Sequence, residues 1–558
     1  MDQPDRGHNL WTLFDTVTSA VGDRPAIIHG DRTISYRTLR DRCWRLAHVL
    51  ADHGLGLRGE RAELEGWVSG QDSVGLYLLN GPAYLEGNLA GYAARAAPFN
   101  VNYRYVADEL AYLLDDADTA ALVYHARFAP TLEQVLPRLR RRPVLLQVAD
   151  ESSEPLLEGA IDYEAALAAA PASPPPADQD PDDLYVLYTG GTTGMPKGTL
   201  WRQADIWRAA IGVDHGDTDF DTIIHDAVDH EPTRLLPNAP LMHGAAQWLA
   251  LHQLLGGDTV VLNEVNDHLD PREICTSIER HRVNAMLLVG EAFARPLLAE
   301  LDRGDYDMSS LILIATGGAV MSPETKARLI ERLPAVLILD AAGSSESGSP
   351  MRQITAGPGT PDASVFDVNP SVAVLDAALT RRLEPGDEEI GWFANSGAIP
   401  LGYLGDEAKT AKTFPVVAGV RWTVPGDRAR LRADGRLELL GRDSVTINSG
   451  GEKIFVEEVE AAAIAHPSVA DAVVVGRPSQ RFGQAVVAVI ALRAGVDVSD
   501  DDLREAMGKR LARYKLPKTV VRVPEIVRSP AGKADYRWAR QLAVDAADPA
   551  DLPTGRTG

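Results

Sequence analysis

Cysteine is scarce in this chain, and long apolar runs are missing. Cys43 and Cys275 are its two cysteines, far apart and without the spacing of a metal site. They exclude a disulfide scaffold and predict a reduced, cytoplasmic protein in which both thiols are small buried side chains. No apolar stretch approaches the ~20 residues of a membrane-spanning helix. The N-terminus carries acids and lacks the apolar segment of a signal peptide. We therefore expect no integral membrane segment and no leader.

Positive charge is also in deficit. Lys and Arg number 55 against 79 Asp and Glu, which gives a formal net charge of −24 at pH 7. An acidic surface argues against nucleic acid or an anionic membrane as a broad partner. It does not exclude ATP, because a few local cations are enough to bind a small polyanion. At 558 residues, 45% of them hydrophobic, the chain exceeds one ordinary core. Two or more domains are therefore expected.

The segment 188–199 is rich in glycine and threonine. It reads Tyr-Thr-Gly-Gly-Thr-Thr-Gly-Met-Pro-Lys-Gly-Thr and follows the apolar run 184–187, which predicts a buried strand. Apolar residues recur at helical spacing over 200–211, so we expect the loop to join a strand to a helix. Glycines let the backbone approach a ligand, and backbone N–H groups, hydroxyls and one ammonium would face it. This composition predicts a loop that binds a nucleoside triphosphate.

The loop is not a Walker A motif. That motif needs Gly-Lys followed directly by Ser or Thr, whereas Lys197 precedes Gly198 and Pro196 stands where glycine is needed. The motifs of a protein kinase are also absent from the sequence. A flexible surface loop is the alternative interpretation, but the dense Gly/Thr pattern around Pro-Lys-Gly favours phosphate binding.

Residues 189–198 resemble the phosphate-binding signature of the adenylate-forming superfamily, which includes acyl-CoA synthetases, adenylation domains of peptide synthetases and firefly luciferase. Other segments resemble that superfamily's motifs in the same order. They are Pro-Leu-Met-His-Gly at 240–244, Thr-Gly-Gly-Ala at 316–319, Gly-Ser-Ser-Glu at 343–346, Pro-Gly-Asp at 425–427, Gly-Arg at 441–442, Gly-Gly-Glu-Lys at 450–453 and Pro-Ala-Gly-Lys at 530–533. The resemblance spans about 10–540. It looks closest to bacterial acyl-CoA synthetases of the fatty-acid and steroid side-chain type, through 197–202 and 447–453.

This resemblance implies a role for each matching residue. Lys533 would be the principal cation at the α-phosphate and the substrate carboxylate, and Glu346 would hold Mg²⁺. His243 would lie at the carboxylate end of an acyl pocket. Asp427 would accept both ribose hydroxyls, with Arg442 on the same sugar. The other implied contacts are Thr189, Gly190, Gly191, Thr192, Thr193, Gly194 and Lys197 at the phosphates (Thr189 also near the metal), Gly318 and Ala319 at adenine, Ala342, Gly343, Ser344 and Ser345 beside them, and Gly450 and Gly451 along CoA.

The chain departs from the superfamily pattern in a few places. Ala342 stands where an aromatic residue usually stacks on adenine, Ser345 replaces a threonine, and Pro425 replaces a hydroxyl residue. At the hinge between domains, Ser444 stands where Asp or Lys is usual, with Asp443 beside it. These departures concern the adenine contact and the hinge.

Candidate acyl-pocket residues are largely apolar, which favours a hydrophobic acid. They are Met242, Ala245, Trp248, Val289, Gly290 and Phe293. Glu291, in the same region, is either a polar contact of the pocket or a residue of a helix surface, and we favour the helix surface.

The fold expected is α/β, because short apolar strands alternate with helices as in mostly parallel sheets. The turn-rich segment 364–440 suggests a β-subdomain. The domains expected are a large one at 1–440 that binds ATP and acid, a small mobile α+β one at 441–545 that carries Lys533, and a disordered tail at 546–558. Strands are predicted at 74–79, 121–124, 144–148, 259–262, 285–289, 311–315, 336–339, 470–475, 485–492 and 519–523, and further helices at 36–50, 456–465 and 500–512.

The leading functional hypothesis is an acyl-CoA synthetase that uses ATP, Mg²⁺ and CoA on a hydrophobic carboxylic acid. A first alternative keeps adenylation but transfers the acid to a carrier protein or an amine, or activates nitrite to diazotise an aryl amine. A second alternative, a nucleotide-binding protein without catalysis, predicts loss of Lys533 or Glu346, and both are present. The sequence does not determine which acid is activated, and it is compatible with a homodimer.

Overall fold

The computed structural model describes residues 8–191, 194–212, 218–318, 321–357, 365–442, 445–449, 452–479, 483–511, 513–528 and 534–546. Within them the predicted α/β class is confirmed, with a large N-terminal sheet-rich part and a small α+β part at the C-terminus. The predicted tail at 546–558 lies outside the described residues, apart from Ala546. The bounds of the two domains and of the tail stay a prediction.

Helices and strands alternate from residue 8 to residue 183. The helices are α1 (Leu10–Val21), α2 (Tyr36–Asp52), α3 (Pro82–Ala93), α4 (Ala107–Asp116), α5 (Ala129–Val135) and α6 (Tyr163–Ala169). The strands are β1 (Pro25–His29), β2 (Arg32–Ser35), β3 (Ser73–Tyr77), β4 (Ala97–Asn100), β5 (Thr119–His125), β6 (Val144–Val148) and β7 (Ala160–Asp162).

The alternation continues from residue 184 to residue 318. The strands are β8 (Leu184–Gly191), β9 (Gly194–Arg202), β10 (Arg234–Pro237), β11 (Thr259–Leu262), β12 (Ala285–Leu288) and β13 (Leu313–Gly317). The helices are α7 (Gln203–Ile206), α8 (Phe220–Asp229), α9 (Gly244–Leu255), α10 (Pro271–His281) and α11 (Gly290–Leu301).

Strands dominate from residue 321 to residue 442. They are β14 (Leu337–Ser344), β15 (Gly348–Thr355), β16 (Val365–Val368), β17 (Val372–Leu375), β18 (Gly391–Ser396), β19 (Gly402–Tyr403), β20 (Val416–Val417), β21 (Val420–Thr423), β22 (Asp427–Leu431) and β23 (Leu437–Arg442). The helices of this segment are α12 (Pro323–Arg332) and α13 (Glu407–Thr413).

The small C-terminal unit mixes both kinds of element. It contains β24 (Ile447–Ser449), β25 (Glu452–Ile454), α14 (Val456–Ile464), β26 (Val469–Ser479), β27 (Gly483–Leu492), α15 (Asp500–Gly508), β28 (Thr519–Val523) and α16 (Tyr536–Asp545). Its sheet has the order β25-β24-β27-β26, with β28 parallel to β27. Separate apolar clusters cover the two faces of this sheet.

The large part is built on two sheets. The first has the order β19-β9-β8-β4-β3-β5-β6-β7 and is parallel from β8 to β7. The second runs β2-β1-β11-β10-β12-β13-β14-β15-β16-β23-β22-β18-β21-β20, with β17 beside β18, and is parallel from β1 to β14. The predicted β-subdomain is an antiparallel extension of the second sheet, except that β19 joins the first.

One apolar core joins the two sheets through helices α1, α2, α3 and α9. A second cluster covers the other face of the first sheet under α4 and α5. Because ligands of parallel sheets bind beyond the carboxyl ends of the strands, the loops after β3, β4, β8, β10 and β13 are where a site is expected. Of the candidate residues, His243 follows β10 and Gly318 follows β13, and the glycine-threonine stretch begins at the end of β8.

The helix predicted at 200–211 is wrong over its first three residues. Leu200, Trp201 and Arg202 complete strand β9, and the chain becomes helical only at Gln203–Ile206 and then at a π-helical turn, Trp207–Ile211. Leu200 lies in the core under α4, whereas Trp201 lies in the core between the sheets. A strand buried on both faces shows consecutive apolar residues, which sequence periodicity cannot distinguish from a buried helix.

Two further expectations concern burial. Cys43 and Cys275 are both buried free thiols, as predicted. In the part of the chain that the structure describes, no helix combines the length and apolarity needed to cross a membrane.

Candidate active site

The glycine-threonine stretch is the turn of a β-hairpin. Strands β8 and β9 pair antiparallel, with Thr189 opposite Lys197 and Gly191 opposite Gly194. The stretch therefore joins two strands, and the predicted connection of a strand to a helix is wrong. Gly190 is the next-to-last residue of β8. Thr192 and Thr193, predicted phosphate contacts at the tip, lie outside the described residues.

Lys197 is held over an aromatic ring on the neighbouring strand. Its Nζ lies 4.9 Å from the ring centroid of Tyr403, which is a favourable cation–π arrangement. Tyr403 belongs to β19 and pairs with Thr199 of β9. The hydroxyl of Tyr403 donates to Oε1 of Glu346 at 2.6 Å. The structure thus connects two residues that are 149 positions apart in the sequence, through a tyrosine that sequence reasoning missed.

A second ammonium group lies beside Lys197. Burial and the neighbouring Lys409, which is within hydrogen-bonding reach, lower the pKa of Lys197 to about 8. Glu346 and Asp406 offset part of this effect. Lys409 is on α13, 3.7 Å from the Asp406 carboxylate. Two adjacent cations near the hairpin form an electropositive pair at the place predicted for phosphate.

Glu346 is presented by a tight hairpin turn between β14 and β15. The Ser344 hydroxyl accepts the Glu346 amide at 3.2 Å, and the Ser347 hydroxyl accepts the Ser344 amide at 3.0 Å. Trp201 of β9 donates its indole N–H to the Ser345 carbonyl at 2.8 Å. Gly343 is required because a Cβ there would collide with the carbonyl oxygen of Gly348. The predicted segment Ala342 to Glu346 is therefore bonded directly to the β8–β9 hairpin, which we call the phosphate hairpin after its predicted role.

The surroundings of Glu346 suit a metal ion whose remaining ligands come from the substrate phosphates. Tyr403 takes Oε1 of Glu346, and among the described residues no cluster of three or more His, Cys, Asp or Glu could hold a metal ion. Mg²⁺ is usually bound by one or two carboxylates together with substrate phosphates and waters. A single carboxylate beside an electropositive pair fits that mode.

The predicted adenine and ribose residues lie on the second sheet. Gly318 follows β13 with a φ of +77°, and Ala319 lies outside the described residues. Asp427 begins β22 and is the register partner of Arg442 at the end of β23. The structure thus brings the two predicted ribose residues opposite one another, although their contacts with a nucleotide stay a prediction.

His243 lies between strand β10 and helix α9. It is the N-cap residue of α9, and its amide closes a turn on the Pro240 carbonyl at 2.9 Å. Of the pocket candidates, Met242, Trp248, Val289 and Phe293 are buried. Phe293 and Pro240 line a cleft of about 210 Å³ at the carboxyl edge of the second sheet.

Glu291 is not a helix-surface residue, so that interpretation is wrong. Its carboxylate accepts the Ser322 amide at 2.7 Å and the Thr325 hydroxyl at 2.9 Å, and it pairs with Arg295. The side chain therefore caps α12 from α11 and is only 17% exposed. The interpretation failed because the helix that Glu291 caps begins 32 residues further along the chain.

Lys533, Gly450 and Gly451 lie outside the described residues, as do Asp443 and Ser444 of the hinge. The residues flanking Lys533 are firmly held. Arg528 and Ala534 form a β-bridge, and Arg528 makes two 2.7 Å hydrogen bonds with Asp471. At the predicted hinge, Gly441 has a φ of +108° and packs against Glu457, so a side chain at 441 would collide with that carboxylate.

A partly buried carboxyl group, that of Glu460, lies beside Arg528. Burial, followed by the charge of Glu457, raises the pKa of Glu460 to about 8, although the Val474 amide at 2.9 Å lowers it in part. In the unfolded chain this carboxyl ionises near pH 4.5. From pH 4.5 to 8 the folded state therefore holds a proton that the unfolded state has lost, and stability falls as pH rises through this window.

Glu460→Gln is expected to remove this loss. The variant should unfold like the parent near pH 4.5 and be more stable by roughly 1–3 kcal/mol at pH 8, because Gln is neutral at both pH values. Thermal or urea unfolding at the two pH values measures it. Glu505→Gln, an exposed change on α15, is the control and should show no such pH-dependent gain. An equal effect of Glu460→Gln at both pH values would contradict the prediction.

Comparison with known proteins agrees with this architecture. The profile of the AMP-binding enzyme family matches residues 14–391, and that of the AMP-binding enzyme C-terminal domain matches residues 458–533. The chain is 52% identical to the medium-chain acyl-CoA ligase Mig of Mycobacterium avium, over 95% of this chain and 97% of that protein. It is 39% identical to a 3-oxocholest-4-en-26-oate–CoA ligase of Rhodococcus rhodochrous, over 95% of each.

Solved structures share the fold at lower identity. The anthranilate CoA ligase AuaEII in complex with anthranoyl-AMP is similar with a TM-score of 0.80 at 20% identity, over 96% of this chain and 98% of that one. The amide bond synthetase McbA from Marinactinospora thermotolerans is similar with a TM-score of 0.74 at 24% identity, over 95% and 99%. Identities this low establish the common fold alone.

Proposed function

The chain belongs to the AMP-binding enzyme family, and from that premise we propose that it is an ATP-dependent acid–CoA ligase acting on a medium-chain hydrophobic carboxylic acid. The observation that carries the proposal is the junction of Lys197, Tyr403 and Glu346 at the turn of the phosphate hairpin. It supplies a cation for phosphate oxygens and a carboxylate for Mg²⁺ in one place. The 52% identity to a medium-chain acyl-CoA ligase supports the same reaction.

Adenylation joins two anions, so the protein must position them and neutralise charge. One oxygen of the substrate carboxylate attacks the α-phosphorus, the bond from that phosphorus to the bridging oxygen of the β-phosphate breaks, and pyrophosphate leaves. We assign Lys197 and Lys409 to the terminal phosphates and Lys533 to the α-phosphate and the carboxylate. Thr189 and Glu346 would hold Mg²⁺, which when bound neutralises phosphate oxygens.

The second half-reaction forms the thioester. The CoA sulfur attacks the acyl carbon of acyl-AMP, the thiol proton is released, the carbon–oxygen bond to AMP breaks, and AMP leaves. Because Lys533 and a thiol channel cannot both face the same carbon at once, we propose that the small domain rotates between the two steps. Gly450 and Gly451 would then line the path of CoA.

The acid is expected to enter the region between His243 and the cleft lined by Pro240 and Phe293. That cleft has a volume of about 210 Å³. Buried Met242, Val289 and Phe293 supply apolar surface nearby. The lining of the cleft itself includes Asn80, Arg104, Asp267 and Asp270, so the buried apolar side chains beside it, rather than the cleft, support a hydrophobic acid. We place the reaction in the cytoplasm, where ATP and CoA are available and where buried free thiols such as Cys43 and Cys275 are usual.

The test is ATP–pyrophosphate exchange across a panel of fatty, aromatic and steroid acids and nitrite, with and without CoA. We expect exchange with a medium-chain fatty acid and an acyl-CoA product once CoA is added. Exchange that gives no thioester would favour a carrier-protein or amine acceptor. Exchange with nitrite alone would favour diazotisation. Either result would overturn the CoA ligase proposal.

Lys409→Met is expected to raise the KM for ATP about tenfold and to leave the affinity for AMP unchanged. A charge-assisted hydrogen bond to a terminal phosphate would be lost, which is worth roughly 1.5–3 kcal/mol. Lys412→Met, an exposed change on the same helix, is the matched control and should behave like the parent. The readouts are steady-state kinetics for ATP and direct binding of ATP and AMP. Equal effects of the two substitutions would remove Lys409 from the phosphate site.

A further inference from the structure

Asn100 is the last residue of β4, which lies beside the phosphate strand β8 in the first sheet. Its side chain is 5% exposed. The amide oxygen accepts the Tyr188 N–H at 2.7 Å, and the amide nitrogen donates to the Tyr188 carbonyl at 2.7 Å. Both bonds hold the main chain one residue before Thr189, where the phosphate-binding stretch begins.

The remaining N–H of Asn100 reaches the other sheet. It donates to the Met242 carbonyl at 2.7 Å, one residue before His243. The turn that carries Met242 follows β10, a strand of the second sheet. One buried side chain therefore bonds the strand of the phosphate hairpin and the turn of the predicted acyl-pocket histidine at the same time.

Asn80, in the loop after β3, forms hydrogen bonds with the same turn. Its amide oxygen accepts the Leu241 N–H at 2.7 Å, and its amide nitrogen donates to the Ala239 carbonyl at 3.1 Å. Asn266 in turn donates to the Asn80 carbonyl at 2.8 Å. Two asparagines of the first sheet thus fix the turn at 239–242 of the second sheet.

We infer that Asn100, assisted by Asn80, is a positioning residue that sets the distance between the triphosphate and the carboxylate of the acid during adenylation. The inference rests on the proposed function, because it assumes that phosphate lies at the hairpin and the acid beside His243. In-line attack needs the reacting atoms about 3–3.5 Å apart, and a displacement of 1 Å can cost 10²-fold in rate. Asn100 bonds the main chain beside both predicted binding regions, at Tyr188 and at Met242. A change at Asn100 therefore changes the spacing between them.

Asn100→Asp isolates the role, because Asp has the same shape and keeps the acceptor for the Tyr188 N–H. It removes both donors and turns a carboxylate oxygen toward the Tyr188 and Met242 carbonyls. We expect kcat for adenylation, measured by ATP–pyrophosphate exchange with octanoate, to fall about 10²-fold. The KM for ATP should change less than about threefold, because the side chains assigned to the phosphates are unchanged.

Supplied acyl-AMP distinguishes a positioning role from a merely structural one, because a positioning role leaves thioester formation from acyl-AMP intact. In octanoyl-AMP the acid and the phosphate are already joined, so the distance that Asn100 sets no longer matters. We expect Asn100→Asp to convert octanoyl-AMP and CoA to the thioester within about threefold of the parent rate. A protein that is simply damaged would lose both half-reactions together.

Asn284→Asp is the matched control. The Asn284 side chain also bonds main chain: it accepts the Arg234 N–H at 2.8 Å and donates to the Ser310 carbonyl at 3.4 Å. These bonds lie at the amino edge of the second sheet, away from the predicted site. Both half-reactions should stay near the parent rate in this variant at a temperature where thermal unfolding shows it folded. If Asn100→Asp does not fold, Asn80→Asp, which loses a single donated hydrogen bond, should show a smaller loss of adenylation with the same rescue by octanoyl-AMP.

Three results would overturn the inference. Adenylation by Asn100→Asp that equals adenylation by Asn284→Asp removes the positioning role. Equal losses in the two half-reactions make Asn100 a folding residue. If the parent itself exchanges pyrophosphate with none of the acids, the proposed function fails and the inference fails with it. A parent that is active while Asn100→Asp resembles the control overturns the inference alone.

Discussion

Glu346→Gln is expected to lower the rate of ATP–pyrophosphate exchange by about 10²–10³-fold, the usual effect of removing one preorganised charge from a reaction centre. The carboxylate is held by the Tyr403 hydroxyl at 2.6 Å and by a serine-closed turn, so Gln can occupy the same position without disturbing the fold. What it loses is the charge for Mg²⁺. The remaining activity should therefore need a higher Mg²⁺ concentration. Exchange rates measured over a Mg²⁺ titration test both effects.

Tyr403→Phe separates orientation from charge. The variant keeps the ring under Lys197 but loses the hydrogen bond to Glu346. We expect a smaller decrease of about tenfold in the parent background. Because Tyr403 acts through Glu346, the same change should have little further effect in Glu346→Gln, as in any double-mutant cycle of coupled residues. Additive losses in the double variant would mean that Tyr403 acts on something other than Glu346. A Glu346→Gln variant with unchanged Mg²⁺ dependence would remove the metal role.

Much of the fold follows from the sequence because the strands are short, apolar and separated by clear helices. The strands predicted at 144–148, 259–262 and 519–523 have the same bounds in the structure. Helix α2 also begins where it was predicted, at Tyr36, because the preceding Ser35 caps it through the Thr38 amide. Such signals are local, so a window of a few residues contains them.

The phosphate hairpin shows where local signals fail. Leu200 and Trp201 face two different cores, and only the arrangement of α4 on one side and the second sheet on the other makes both of them buried. A helix and a doubly covered strand give the same apolar run. The resemblance to a known family predicts that the stretch is a phosphate loop, but it does not correct the predicted element that follows the loop.

The parts of the site that were missed depend on long-range contacts. Tyr403 becomes important because β19 joins the first sheet beside β9, although its neighbours in sequence belong to the antiparallel extension of the second sheet. Asn100 becomes important because one amide reaches two segments that are 54 residues apart. Neither residue stands in a motif, so no pattern in one sequence could mark it.

Lys533→Ala is expected to lower adenylation by about 10²–10³-fold and to leave thioester formation from supplied acyl-AMP within about threefold of the parent. The reason is that Lys533 is assigned to the α-phosphate and carboxylate in the first half-reaction, before the small domain rotates. The Arg528–Asp471 pair and the Arg528–Ala534 bridge flank the Lys533 segment and do not depend on this lysine. Pyrophosphate exchange and CoA-dependent consumption of octanoyl-AMP are the two measurements.

Lys509→Ala is the control for this prediction, since Lys509 is an exposed lysine of the same small unit, paired with Glu505 at 3.5 Å. It should leave both half-reactions unchanged. The comparison with Asn100→Asp is informative, because both variants are expected to lose adenylation and to keep thioester formation, one through charge and the other through distance. A matching loss of both half-reactions in Lys533→Ala would show that the lysine serves the small domain as a whole. The assignment of its charge to the first step would then be wrong.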